Sequence, residues 1–150
     1  MRRLILTTLL FASVLFVTDR AFGQNGPYQY YPLSPCRVVD TRNANSTNGG
    51  PAFSTDTTRN FSIRGFCGVP TTAKAVSLNL IVTQSSTGGW LTAWPSGQAR
   101  PVVSMINFQS SDPALANGVI VGLSSNAQDL SVYNNFGSVH VIIDVTGYFQ

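Results

Sequence analysis

The chain has 150 residues, with nine basic, six acidic and one histidine side chain and a formal net charge of +3; 43% of it is hydrophobic and 10% charged. It contains no glutamate, and Lys74 is its only lysine. Side chains that run acid–base, metal and phosphate chemistry are therefore scarce, and beyond the first 23 residues the basic groups stand singly rather than in the clusters a phosphate-tracking surface needs, which argues against nucleic acid as a partner.

Residues 1–23 read as a secretory signal peptide: Arg2 and Arg3 give the positive start, Leu4 to Val17 the apolar stretch, and Ala21-Phe22-Gly23 the small residues before cleavage. The apolar stretch is short for a membrane span of ~20 residues, so no span is expected after cleavage, and Gln24 becomes the mature N-terminus. The leader takes three arginines and Asp19 with it, leaving six basic and five acidic groups. The high overall pI is then no argument for an anionic partner.

Residues 24–34 are rich in Tyr and Pro (Pro27, Tyr28, Tyr30, Tyr31, Pro32) and read as an extended arm ahead of a single domain over 35–150. Arg37–Asp40 reads as the first strand. Thr41–Thr58 is polar, with Asn48-Gly49-Gly50-Pro51 as a turn, and is long for a loop. Strands are then expected over 61–66, 75–83, 90–94, 102–108, 118–123, 130–133 and 139–145, with turns at Gly88-Gly89, Pro95-Ser96-Gly97, Ser110–Pro113, Ser124–Asn126 and Asn134–Gly137. Asn117-Gly118 adjoins a strand and resembles a tight hairpin turn. Alternation of period two, punctuated at short regular intervals and without helical periodicity, predicts an all-β, antiparallel sandwich of the jelly-roll or immunoglobulin-like kind. Val139–Val145 is the most apolar strand and is expected in the centre of a sheet.

Two cysteines, Cys36 and Cys67, remain in the exported chain and read as one disulfide closing a loop of about 32 residues. A metal site is not expected, because no further Cys exists and His140 is over 70 positions away from them. Nothing else in the sequence calls for a cofactor.

The remaining polar residues divide between ties and ligand contacts. Asp40 and Arg42 read as a structural pair at the end of the first strand, with Asp40 capping backbone N–H groups. Asp144 lies inside the most apolar strand and, half-buried, needs a partner; on alternation it shares a face with His140, Ile142, Thr146 and Tyr148. His140 and Asp144 would stand about 13 Å apart on a strand, too far for a catalytic pair, so an arginine is the expected partner. Asn79, Asn107 and Asn117 lie in or beside strands, where asparagine is depleted, and read as ties to neighbouring loops rather than as a polar groove. Trp90 and Trp94 share a strand face. Exposed, they would stack on sugar rings with tyrosines such as Tyr133 beside them; buried, they would fill the core, which is the commoner use of so large a ring. No nucleophile elbow, zinc-protease pair or calcium loop occurs, and no catalytic residue is assigned.

The segments Pro35-Cys36-Arg37-Val38-Val39-Asp40-Thr41-Arg42 and Asp144-Val145-Thr146-Gly147-Tyr148-Phe149, with Val76–Leu80, Leu91–Gly97, Ser104–Phe108 and Ala116-Asn117 between them, resemble a β-module of secreted bacterial proteins seen in actinobacterial and acidobacterial extracellular proteins. The resemblance covers roughly residues 31–149. It implies an exported, non-catalytic module and brings no active-site residue with it. The expected function is a secreted structural or adhesive module whose partners are itself or extracellular glycans. Carbohydrate or cell-wall binding through the aromatic residues is the alternative, and a small extracellular hydrolase using Asp40 or Asp144 a more distant one.

Overall fold

A computed structural model describes residues 26–150; the expected leader and the first two residues of the expected arm lie outside them. The chain forms eight strands: β1 (Tyr30–Asp40), β2 (Thr57–Phe61), β3 (Ala75–Thr83), β4 (Gly89–Pro95), β5 (Ile106–Phe108), β6 (Ala114–Gly122), β7 (Leu130–Asn134) and β8 (His140–Phe149). They make two four-stranded sheets, β1-β8-β3-β6 and β2-β7-β4-β5. All strand pairs are antiparallel. Successive strands alternate between the sheets over most of the chain, which is the jelly-roll order rather than the immunoglobulin one. No helix of the described residues is long and apolar enough to cross a membrane.

Alternation explains the core. Val76, Leu78, Leu80 and Val82 of β3 face Val141, Ile143 and Val145 of β8 across one inner layer, and Leu91, Ala93, Leu130 and Val132 come from the other sheet. Phe53, Phe61 and Ile63, each fully buried, complete the core, with the rings of Phe53 and Phe61 6.1 Å apart. β8 lies between β1 and β3, the central place its apolar content predicts. The Cys36–Cys67 disulfide is formed and joins β1 to the turn after β2. It therefore ties edge strand β1 of one sheet to the loop that follows β2, the edge strand of the other sheet.

Four local expectations are corrected. Residues 30–34, read as an arm, are the first half of β1 and pair with β8 from Tyr30↔Phe149 to Pro32↔Gly147; an edge strand accepts proline because its outward N–H has no ladder partner to lose. The second strand is not 61–66 but Thr57–Phe61, since the backbone after Phe61 turns away into a tight loop with left-handed residues Gly65, Cys67 and Gly68. Asn117-Gly118 is no turn but the middle of β6. Asp144 and Tyr148 do not share a face: the register of β8 against β3 shifts at Thr146, so that Tyr148 pairs with inward-facing Val76 and packs on the core.

Candidate functional site

The residues with chemistry in their side chains fall into three groups. The first lies on the outer face where β1 meets β8. Arg37 donates to both carboxylate oxygens of Asp144, at 2.8 Å from Nε and 3.2 Å from Nη2, and its Nη1 lies 3.6 Å from Asp40 Oδ2. Arg42 donates to Asp40 from its backbone N–H at 3.1 Å, from Nε at 2.8 Å and from Nη2 at 2.6 Å. The strand end thus brings Asp40, Arg42 and Asp144 into one ladder through Arg37, which joins it because residues 37 and 144 are register partners. Asp144 is not in the core: its side chain keeps 21% of its exposure and Arg37 keeps 47%. Removing Asp144 releases Arg37 to water rather than stranding it. His140 takes no part in the ladder; its Nδ1 pairs with Thr41 Oγ1 at 3.1 Å.

The Arg42 hydrogen bonds hold the Asp40 carboxyl down to about 2, against the partial opposition of burial. A carboxyl depressed in the folded state stabilises the fold above its unfolded value near pH 4 and loses that contribution as pH falls toward 2. Asp40→Asn is therefore expected to lower the melting temperature at pH 7, and the gap to wild type should narrow between about pH 4 and pH 2. Parallel melting curves through that window would show that the pair does not stabilise the fold.

The second group is aromatic and lies on the outer face of β4 and β7. Trp94 is 6% exposed. The segment after β4 folds back over it: its indole N–H donates to Gln98 O at 3.0 Å, and Thr92 on the same face donates to Val103 O. Trp90 stays partly exposed and packs at 5.3 Å and 50° against Tyr133, itself largely buried. The Arg100 guanidinium sits 3.8 Å above the Tyr133 ring and 5.9 Å from the Trp90 ring. Tyr133 donates its hydroxyl to Asp56 Oδ1 at 2.8 Å, which holds the phenol above its ordinary value. Trp90 and Trp94 do not form a joint exposed platform; one ring is covered by the chain itself and the other shares a cation-capped cluster with Tyr133.

The third group was not singled out by the sequence. Asp129, 4% exposed, accepts from the backbone N–H of Ile63 at 2.6 Å and of Arg64 at 2.8 Å, and from Arg64 Nε at 2.6 Å. Arg64 also donates to Ser124 O. An open depression of about 420 Å³ lies over this pair, with Phe66, Thr71 and Asn126 on its walls. Arg59 is a second such residue. Its guanidinium donates to Gly49 O at 2.7 Å, Gly50 O at 3.1 Å and Pro51 O, and lies over the rings of Phe53 and Phe61, so that one cation holds the long loop after β1.

The three asparagines are not brought together. Asn79 lies mid-strand on the outer face of β3, opposite Gly118 and Asp144. Asn107 accepts from Ser104 Oγ at 2.8 Å on the other sheet. Asn117 donates to Met105 O at 2.6 Å, tying β6 to the segment before β5. Among the described residues no group of three or more His, Cys, Asp or Glu side chains is placed to hold a metal ion. No protein-family model matches the chain, and no curated protein matches it.

Proposed function

We propose that the protein is a secreted, non-catalytic structural or adhesive module that acts through surface contacts or self-association. One observation carries this reading: each of the five aspartates among the described residues is engaged in a local or long-range tie. Asp40 and Asp144 serve the arginine ladder, Asp129 anchors Ile63 and Arg64, Asp56 accepts from Tyr133, and Asp112 accepts from Gln109 N–H at 2.7 Å. A carboxylate whose oxygens are already engaged by an arginine fork or by N–H and O–H donors is poorly placed to accept a proton from a substrate, which makes it a poor general base. The leader read at residues 1–23 and the disulfide agree with export.

The protein collected after export and kept oxidised is expected to increase in mass with concentration in light scattering, or to be retained on intact cells or extracellular matrix. A strict monomer retained on neither surface overturns the proposal.

Glycan binding is the second reading, and the partly exposed Trp90 beside Tyr133 and Arg100 favours it. Retention of the protein on a cell-wall polysaccharide, abolished by Trp90→Ala and unaffected by Trp94→Phe, would make it the leading one.

A further inference from the structure

We infer that β6 is the edge through which two copies of this chain associate, pairing antiparallel about a two-fold axis at Gly118 and joining two four-stranded sheets into one continuous sheet. The inference rests on the self-association part of the proposed function.

A sandwich has four sheet edges, and a long, flat, uncharged edge is a template for another strand. Three of the four here are blunted. β1 carries Pro32, Pro35 and Arg37, and its register against β8 shifts twice. β2 has five residues, with Arg59 at its middle, and β5 has three. β6 is different. It has nine residues, pairs with β3 from end to end without a register shift, and has no other strand partner among the described residues. It contains neither proline nor charge, and no charged residue occurs from Pro113 to Gln128.

The occupant follows from the strand's own pattern. Ala114, Ala116, Gly118, Ile120 and Gly122 lie on the outer face, and Ile120 is 65% exposed. Gly118 is the central residue, so an axis through it pairs all nine residues of both copies. Ile120 then faces Ala116 of the second copy, twice, and Ala114 faces Gly122, so that each large side chain meets a small one. Toward the inner face Leu115 meets Val121 and Asn117 meets Val119. No like charges are opposed, and the six basic and five acidic groups of residues 26–150 leave little net repulsion between copies. An isologous contact of this kind satisfies both edges at once and stops at two copies.

Gly118 also supplies the test. A Cβ built there meets nothing within 4 Å, and its φ is not left-handed, so a side chain fits the single copy. Gly118→Lys would place two ammonium groups directly opposite each other across the axis, a destabilising pair. Wild type is expected to approach twice the monomer mass over a concentration series, Gly118→Lys to remain monomeric with the melting temperature of wild type diluted to its monomer, and Gly118→Thr to associate like wild type. Under mild oxidation Gly118→Cys is expected to give a covalent dimer and Ile120→Cys none, because residues 120 of the two copies would stand about 13 Å apart. Association that survives Gly118→Lys, with no cross-link at 118, overturns the β6 pairing and leaves self-association standing. A wild type that is monomeric yet retained on cells or matrix overturns the pairing and leaves adhesion standing. A monomer retained on neither overturns both.

Discussion

Asp129→Ala is expected to lower the stability of the domain by about 3–5 kcal/mol, the range for removing one partner of a buried charge pair. The carboxylate is 4% exposed and takes two backbone N–H groups as well as the Arg64 guanidinium, whose side chain keeps 19% exposure. Alanine would leave both N–H groups and most of a cation without an acceptor in a site that water reaches poorly. The backbone of the same residue joins three segments: its N–H donates to Phe61 O, and its carbonyl accepts from Ser96 and Ser124. Losing the side chain therefore loosens the point where β2, β4 and β7 are held at one end of the sandwich. Urea unfolding at neutral pH measures the effect. Asp129→Asn, which keeps one acceptor oxygen but turns an amide toward N–H donors, should fall between alanine and wild type and remains readable if the alanine variant does not fold. An alanine variant with the wild-type midpoint would mean that Arg64 and the two N–H groups find other partners at no cost.

Asp129 also shows where sequence reading stops. Asp40 and Arg42 are two residues apart, so a turn brings them together and their pairing is legible from the sequence. Arg64 and Asp129 are 65 residues apart, and Arg37 and Asp144 are 107 apart; those pairs exist only because the jelly-roll connections bring the strands round, and no local pattern encodes them. The strands divide in the same way. β3 is predicted to the residue because Val76, Leu78, Leu80 and Val82 alternate with half-exposed neighbours throughout its length. The alternation of Phe61 and Ile63 is equally real, and both are fully buried, but Ile63 and Arg64 give their N–H groups to a distant carboxylate instead of a strand. The ladder falls instead to Thr57–Phe61, a polar stretch that periodicity passes over. Asn117-Gly118 misleads for a related reason: at an exposed edge neither residue has a core position to fill, so turn formers sit in a strand at little cost. Trp94 is covered by the segment around Gln98–Val103, which is held to β4 by the carbonyls of Gln98 and Val103 and by Arg100 over the Tyr133 ring, contacts that no local alternation encodes.

Removing the disulfide should be the comparably large loss, about 3–4 kcal/mol in the chain-entropy account of a loop of this length. Cys36 lies in β1 and Cys67 in the tight turn after β2, with their Cα atoms 5.7 Å apart and their positions 31 apart in sequence. The enclosed segment holds the long loop after β1, the whole of β2 and Arg59. Without the bond, these elements must be ordered from a chain with more freedom, and β1 loses its covalent tie to the loop after β2. The double variant Cys36→Ser, Cys67→Ser avoids a stray thiol and isolates the term. Its melting temperature should fall well below that of the oxidised wild type, and reductant should shift the wild type toward the variant while leaving the variant unmoved. Arg59, whose carbonyl contacts hold the same loop without covalent help, should then matter more: Arg59→Ala is expected to destabilise the serine variant sufficiently to prevent folding at 37 °C, where removal of a native disulfide from a small exported domain often already does so. Equal melting temperatures with and without reductant would show that the hydrogen-bonded loop and the core hold the two sheets together unaided.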